Sequence, residues 1–133
     1  MDDMDVFAAV GEDGFARLVN AFYRQVPTDD LLGPMYPRED MAGAQQRLRD
    51  YLVYRFGGPT RYIEERGHPR LRMRHFQFPI TQASRDRWMQ FMDAAFKEAT
   101  LPAEAEKHIR EFFEGMSTFM INRLEEGQGA QQQ

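Results

Sequence analysis

Four stretches of the chain space their apolar residues at the period of an α-helix, and no stretch alternates convincingly at the period of a strand. From Phe15 to Val26 the apolar positions are Phe15, Leu18, Val19, Phe22, Tyr23 and Val26, a single stripe that Pro27 closes. From Asp40 to Phe56 the stripe is Met41, Ala44, Leu48, Tyr51 and Leu52, reaching Arg55 or Phe56, and Gly57, Gly58 and Pro59 break it. The third and cleanest runs from Thr81 to Ala99 through Trp88, Phe91, Met92, Ala95 and Phe96. The fourth starts in "TLPAEAE", where Pro102 is tolerated in a first turn and Glu104 and Glu106 suit the positive end of the helix dipole. Its stripe is Ile109, Phe112, Phe113, Met116, then Phe119 or Met120 and Arg123 or Leu124. Such a chain buries helix against helix, so its fold class is all-α.

At 133 residues the chain fits one domain, taken as 1–126, with "GQGAQQQ" at 127–133 as a flexible tail. Eleven Phe and nine Met exceed what a small helical core requires. The surplus can line a pocket, although both residue types also fill ordinary cores. With no cysteine there is neither a disulfide framework nor a thiolate metal site, which is compatible with a reducing cytoplasm. The first residues, "MDDMDVFAAVGEDG", are acidic where a secretory signal is basic, and no apolar run approaches the roughly 20 residues that span a bilayer. The expectation is a cytoplasmic protein with no membrane partner.

The formal net charge of -4 argues against general affinity for nucleic acid. Its distribution is uneven, because from Arg61 to Arg74 five Arg less two Glu leave a local +3. Fifteen of the seventeen basic residues are Arg, the side chain that forks onto carboxylates and phosphates. A small anionic ligand suits this patch better than a polyanion.

The same patch lies in a long irregular segment, Gly57 to Ile80, bounded by helix breakers; such insertions are uncommon in compact domains and tend to be functional. "RYIEERG" reads as a short helix ended by Gly67, and "HPRLRMRH" as a further turn after Pro69. His68 and His75 fall here. On a continuous helix seven residues rise about 10.5 Å, too far for both rings to reach one ion about 2 Å from each. A single-histidine site remains, since one neutral imidazole suffices when a cofactor supplies the equatorial ligands, as for haem iron. The plain alternative for His75 is a loop histidine with a hydrogen-bonded ring. Leu71, Met73, Phe76, Phe78 and Ile80 can supply an apolar wall beside it.

"AFYRQV", "YPREDMAGAQQRL", "GGPTRYIEERGHPRLRMRH" and "RDRWMQFM" resemble the group II truncated haemoglobins, over roughly residues 7 to 124 and in the expected order. "RGHPRLRMRH" is the most specific of these blocks. The resemblance implies a truncated globin, a two-on-two helical sandwich around haem b, with a much reduced proximal helix that accounts for the weak periodicity near His75. It implies His75 as the proximal iron ligand. It also implies Arg47, Tyr62 and Arg74 as partners of the haem propionates, with Arg66 and Arg72 as further candidates and Leu71, Phe78 and Ile80 against the cofactor. For each arginine the alternative is a solvated surface charge. His68 reads as a brace for the loop and His108 as a flank residue.

On the distal side the resemblance matches Tyr23, Tyr36 and Trp88 to the family's polar aromatic trio, with Phe22, Leu32, Ala44 and Leu48 shaping the remaining wall. Ala44 holds a distal-helix position where many globins carry histidine, which leaves hydrogen bonding to the trio. The alternative is that Tyr23 and Trp88 are core residues whose polar tips meet backbone partners. A phenol O–H and an indole N–H are donors, and dioxygen gains negative charge on binding ferrous iron, so aimed donors stabilise it.

The function implied is reversible binding of dioxygen, or of carbon monoxide, nitric oxide, sulfide or peroxide, at a five-coordinate haem kept reduced by an unknown reductase. Several donors predict slow oxygen release, which favours sensing, scavenging or redox chemistry over bulk delivery. A second reading is a haem-dependent peroxidase or a protein that oxidises nitric oxide or handles sulfide, although neither Tyr nor Trp is an obvious general base at neutral pH. A third is a cofactor-free helical interaction module whose Arg61 to Arg74 patch meets an acidic partner; it would be colourless. Both a monomer and a homodimer remain open.

Overall fold

Asp2 caps the first helix: its carboxylate accepts from Asp5 N at 3.0 Å while the Asp5 carboxylate accepts from Asp2 N at 3.3 Å, so two backbone donors are satisfied reciprocally. The structure, a computed structural model, describes residues 2–124; the expected domain end at 126 and tail at 127–133 lie outside the described residues. The apolar stripe begins at Phe15, but helix α1 (Asp3–Tyr23) begins twelve residues earlier and is interrupted at Gly11, whose φ of 71° glycine adopts without a Cβ penalty. The early half escapes a periodicity reading because Val6, Phe7 and Val10 make only one short patch before that break.

Helix α2 (Met41–Arg55) starts at Asp40, whose carboxylate accepts from Gly43 N, and ends before Gly57. At Gly57 φ is 92° and a Cβ would sit 2.8 Å from Met4 Cα, so the break after α2 also seats the first turn of α1. The irregular segment holds two short helices, α3 (Arg61–Arg66), ended by Gly67, and α4 (Leu71–His75). Helix α5 (Gln82–Ala99) is capped by Thr81, which exchanges bonds with Ser84, and α6 (Ala103–Phe119) follows Pro102. The last members of the fourth stripe, Met120, Arg123 and Leu124, fall past the end of α6. There Asn122 N and Arg123 N both donate to Ile80 O, at 2.9 and 3.1 Å, tying the chain to the start of α5.

Helix α1 packs chiefly against α5 and α2, and α5 against α6, giving two helix pairs held face to face, and no strand occurs among the described residues. This is the expected all-helical, two-on-two truncated globin fold. Phe15, Phe22, Phe56, Leu52 and Ile109 are fully buried between the pairs, each such side chain contributing about 1.5–3 kcal/mol. Asp29 fixes the connection between α1 and α2: its carboxylate accepts from Leu31 N, Leu32 N and the Arg87 guanidinium of α5. That anchor holds Leu32 and Tyr36 over the space between the pairs.

Candidate functional site

A cavity of about 630 Å³ opens between α1, α2, α5, α6 and the irregular segment, within the range of about 300–1,000 Å³ usual for small-molecule and cofactor sites. His75 lies on its wall, placed there by α4, in which residues four apart share a face: Leu71 and His75 both look inward. His75 Nδ1 donates to Leu71 O at 2.7 Å, which leaves the lone pair on Nε2. Its ring neighbours Phe78, with centroids 6.5 Å apart. Asn122 Nδ2 reaches His75 O at 3.4 Å, so the turn after α6 steadies the same residue.

Tyr23, Tyr36 and Trp88 also line the cavity. The Tyr23 and Tyr36 rings meet edge to face at 5.4 Å, and the Trp88 indole N–H, a donor only, offsets part of the effect of burial on the Tyr36 hydroxyl. Tyr23 donates to Ala44 O on α2 at 3.3 Å. Among the described residues the Tyr36 proton itself has no acceptor. Burial pushes the Tyr36 phenol up to about 12, and burial with the neighbouring Tyr36 raises Tyr23 still further, so both hydroxyls are neutral near pH 7.

Of the other residues singled out in the sequence, Leu32, Ala44, Leu48, Arg47, Tyr62, Arg66, Arg74, Leu71, Phe78 and Ile80 all border the cavity. Two do not. Phe22 is fully buried behind the wall, packed on Tyr23 at 5.4 Å and Trp88 at 5.3 Å, because it lies one residue and so about 100° around α1 from Tyr23. Arg72 points the other way from its neighbours, donating to Phe119 O at 3.1 Å. Arg74 turns inward and staples the loop through Arg66 O and His68 O, while His68 Nδ1 accepts from Arg70 N. His108 is more than a flank residue: it meets Asp3 at 3.2 Å and the Phe56 ring at 6.1 Å, joining α6 to the first turn of α1.

The cavity also takes in Tyr51, Arg85, Phe112, Phe113, Met116 and Met120. The stripes of α2 and α6 contain five of these, but as core filler; the surplus of Phe and Met was the available signal. Arg85, in the first turn of α5, gave none. Its Nε is buried without a hydrogen-bond partner.

This lining fits haem. Aromatic and aliphatic walls suit a flat apolar macrocycle, one imidazole with a fixed tautomer suits iron, and Arg47, Arg66 and Arg74 are cations for carboxylates. Residues 5–122 match the model of the Bacterial-like globin family. Group 2 truncated hemoglobin YjbI of Bacillus subtilis (strain 168) is 37% identical over 123 residues, 90% of this chain and 89% of the relative. The chain belongs to the group II truncated haemoglobins. A thermostable hemoglobin from the actinobacterium Thermobifida fusca superposes with a TM-score of 0.84 at 46% identity, over 88% of this chain and 96% of that one. A truncated oxygen-avid haemoglobin from Bacillus subtilis does so at 0.83 and 34%, over 88% and 98%. As a truncated haemoglobin the chain binds haem, and with it iron and small gaseous ligands. No helix among the described residues of this haemoglobin is long and apolar enough to cross a membrane.

Proposed function

We propose that the chain holds haem b through His75 and binds dioxygen beside Tyr36 and Trp88, releasing it slowly. One observation carries this reading: a single cavity is lined both by an imidazole oriented from behind and by Trp88 and Tyr36, two side chains with protons to give. Bound haem supplies iron with an open position for a small ligand.

The chain supplies the rest. Leu71 O holds the His75 Nδ1 proton, so the lone pair of Nε2 would be left to bind the iron. Arg47, Tyr62 and Arg74 border the cavity and would supply the cations and hydroxyl for the propionates, with Arg66 a further candidate; Arg47 now rests on Asp40 at 3.3 Å, an exposed pair that yields readily. Trp88 and Tyr36 would each offer a proton to the ligand, and donors sharing one pocket strengthen one another. With each donor worth about 1–1.5 kcal/mol, losing two accelerates release by one to two orders of magnitude. The oxygen-avid description of the Bacillus subtilis neighbour agrees with such a pocket.

The cavity lining includes no carboxylate among the described residues, and the raised phenols are poor bases, so general acid–base chemistry on peroxide has less support than ligand binding. Visible spectra decide the matter. The purified protein should show a Soret band that shifts with oxygen and with carbon monoxide; a colourless folded protein would refute the proposal.

A further inference from the structure

The back of α4 carries a surface that the haem site does not use. Leu71 and His75 face the cavity, whereas Arg72 and Phe76, again four apart, face solvent together with Met73. Met73 is 62%, Phe76 53% and Phe119 61% exposed, large values for such side chains. They are interleaved with arginines: the Arg72 guanidinium lies 5.8 Å from the Phe119 ring, and that of Arg123 5.4 Å from the Phe76 ring.

Elsewhere most arginines pair with carboxylates, as Arg17, Arg55, Arg61 and Arg87 do, Arg38 and Arg49 excepted. Among the described residues Arg66, Arg70, Arg72, Arg74 and Arg123 make no ion pair, and the guanidinium bonds of Arg72, Arg74 and Arg123 go only to backbone carbonyls or to Asn122. From Arg66 to Phe76 there are four Arg and no Asp or Glu, in a chain whose net charge is -4. A cationic, partly apolar face in an acidic protein is complementary to a carboxylate-rich partner, and Arg forks onto carboxylates.

We infer that the surface formed by Arg70, Arg72, Met73, Phe76 and Arg123 docks an acidic protein carrying a one-electron redox centre, which reduces the iron held at His75. The inference rests on the haem reading above. One electron leaves the partner's reduced centre, which is oxidised by one unit, and ferric iron becomes ferrous; no bond is made or broken. The electron has only α4 to cross, and an α-helix with its side chains is about 10–12 Å wide. A second copy of this chain fits the face poorly, because a two-fold contact sets its arginines against each other. A bilayer fits it poorly as well, because the five residues of α4 offer no extended apolar stripe to lie in the interface.

The test uses ferric holoprotein and a reduced plant-type [2Fe–2S] ferredoxin, an acidic protein, as the probe. Stopped-flow reduction should slow steeply as salt is raised. The Arg70→Glu/Arg123→Glu double variant should be about tenfold slower at low salt and bind oxidised ferredoxin more weakly in calorimetry, with its Soret band and its reduction by dithionite unchanged. Phe76→Ala should slow reduction at every ionic strength. Salt-independent rates, or equal rates and affinities in wild type and variants, would overturn the docking face while leaving the haem reading intact. So would variants that alter only sedimentation or only binding to anionic phosphatidylglycerol vesicles. A wild type without a Soret band would instead strike at the haem reading.

Discussion

His75 Nδ1 donates to the carbonyl of Leu71, one helical turn earlier, across 2.7 Å. Helix α4 is thus just long enough to present an imidazole and to fix which of its nitrogens can bind metal. His75→Ala should be purified with little or no pigment, and added imidazole should restore a Soret band by filling the space left behind. An unaltered pigment content in that variant would exclude His75 as the ligand.

The distal pair gives a graded expectation. Tyr36→Phe and Trp88→Phe should each speed oxygen dissociation by about five- to tenfold, for about 1–1.5 kcal/mol apiece. The double variant should fall short of the product because the two groups act in series. Tyr23→Phe should matter less, since the Tyr23 proton is already engaged by Ala44 O. Stopped-flow dissociation measures all four.

Burial raises Tyr36 to about 12 and Tyr23 further, so native protein keeps both phenols neutral. Oxygen dissociation should therefore stay flat from about pH 6 to pH 10, the range below the ordinary tyrosine value. The linked stability is complete below about pH 10, where unfolded tyrosines are also neutral, and declines as pH rises toward 12. Alkaline unfolding monitored by circular dichroism should show the decline beginning near pH 10.

Asp29 behaves in the opposite sense. Burial would raise its carboxyl, but the bonds from Leu32 N, Arg87 and Leu31 N outweigh it and hold the group below the ordinary value of 3.8. Its contribution is present above about pH 4 and lost as pH falls through the lowered native value. Asp29→Ala should lower Tm at pH 7 by about 3–6 °C, for a loss on the order of 1–2 kcal/mol, and the deficit should shrink in acid.

Two glycines separate backbone strain from helix propensity. Gly57→Ala should destabilise by about 1–3 kcal/mol, because φ is 92° and the new methyl meets Met4 Cα at 2.8 Å. Gly115→Ala, inside α6 with open space around it, should stabilise by up to about 1 kcal/mol. Urea denaturation of the two variants gives the comparison.

The four long helices were legible because a 3.6-residue period survives in a single sequence. Residues 3–10 were not, since Gly11 cuts the period before it repeats. Near His75 the residue types pointed to chemistry, but direction did not follow from them: Arg72 and Arg74 are alike in sequence, and only the roll of α4 turns one toward Phe119 O and the other toward Arg66 O. Phe22 and Tyr23 raise the same difficulty on α1, where both belong to one apolar stripe and only the packing puts Tyr23 at the cavity and Phe22 behind it. Arg85 was invisible because, apart from its neighbour Asp86, its partner is Glu114 O on α6, a separation no local pattern records.

The bond from Tyr23 to Ala44 O means that an incoming gas never meets an idle hydroxyl there. If guests bind in this cavity as proposed, each must either leave that proton on the backbone of α2 or draw it away, and discrimination among them would be weighed against a carbonyl of the protein's own frame rather than against bulk water.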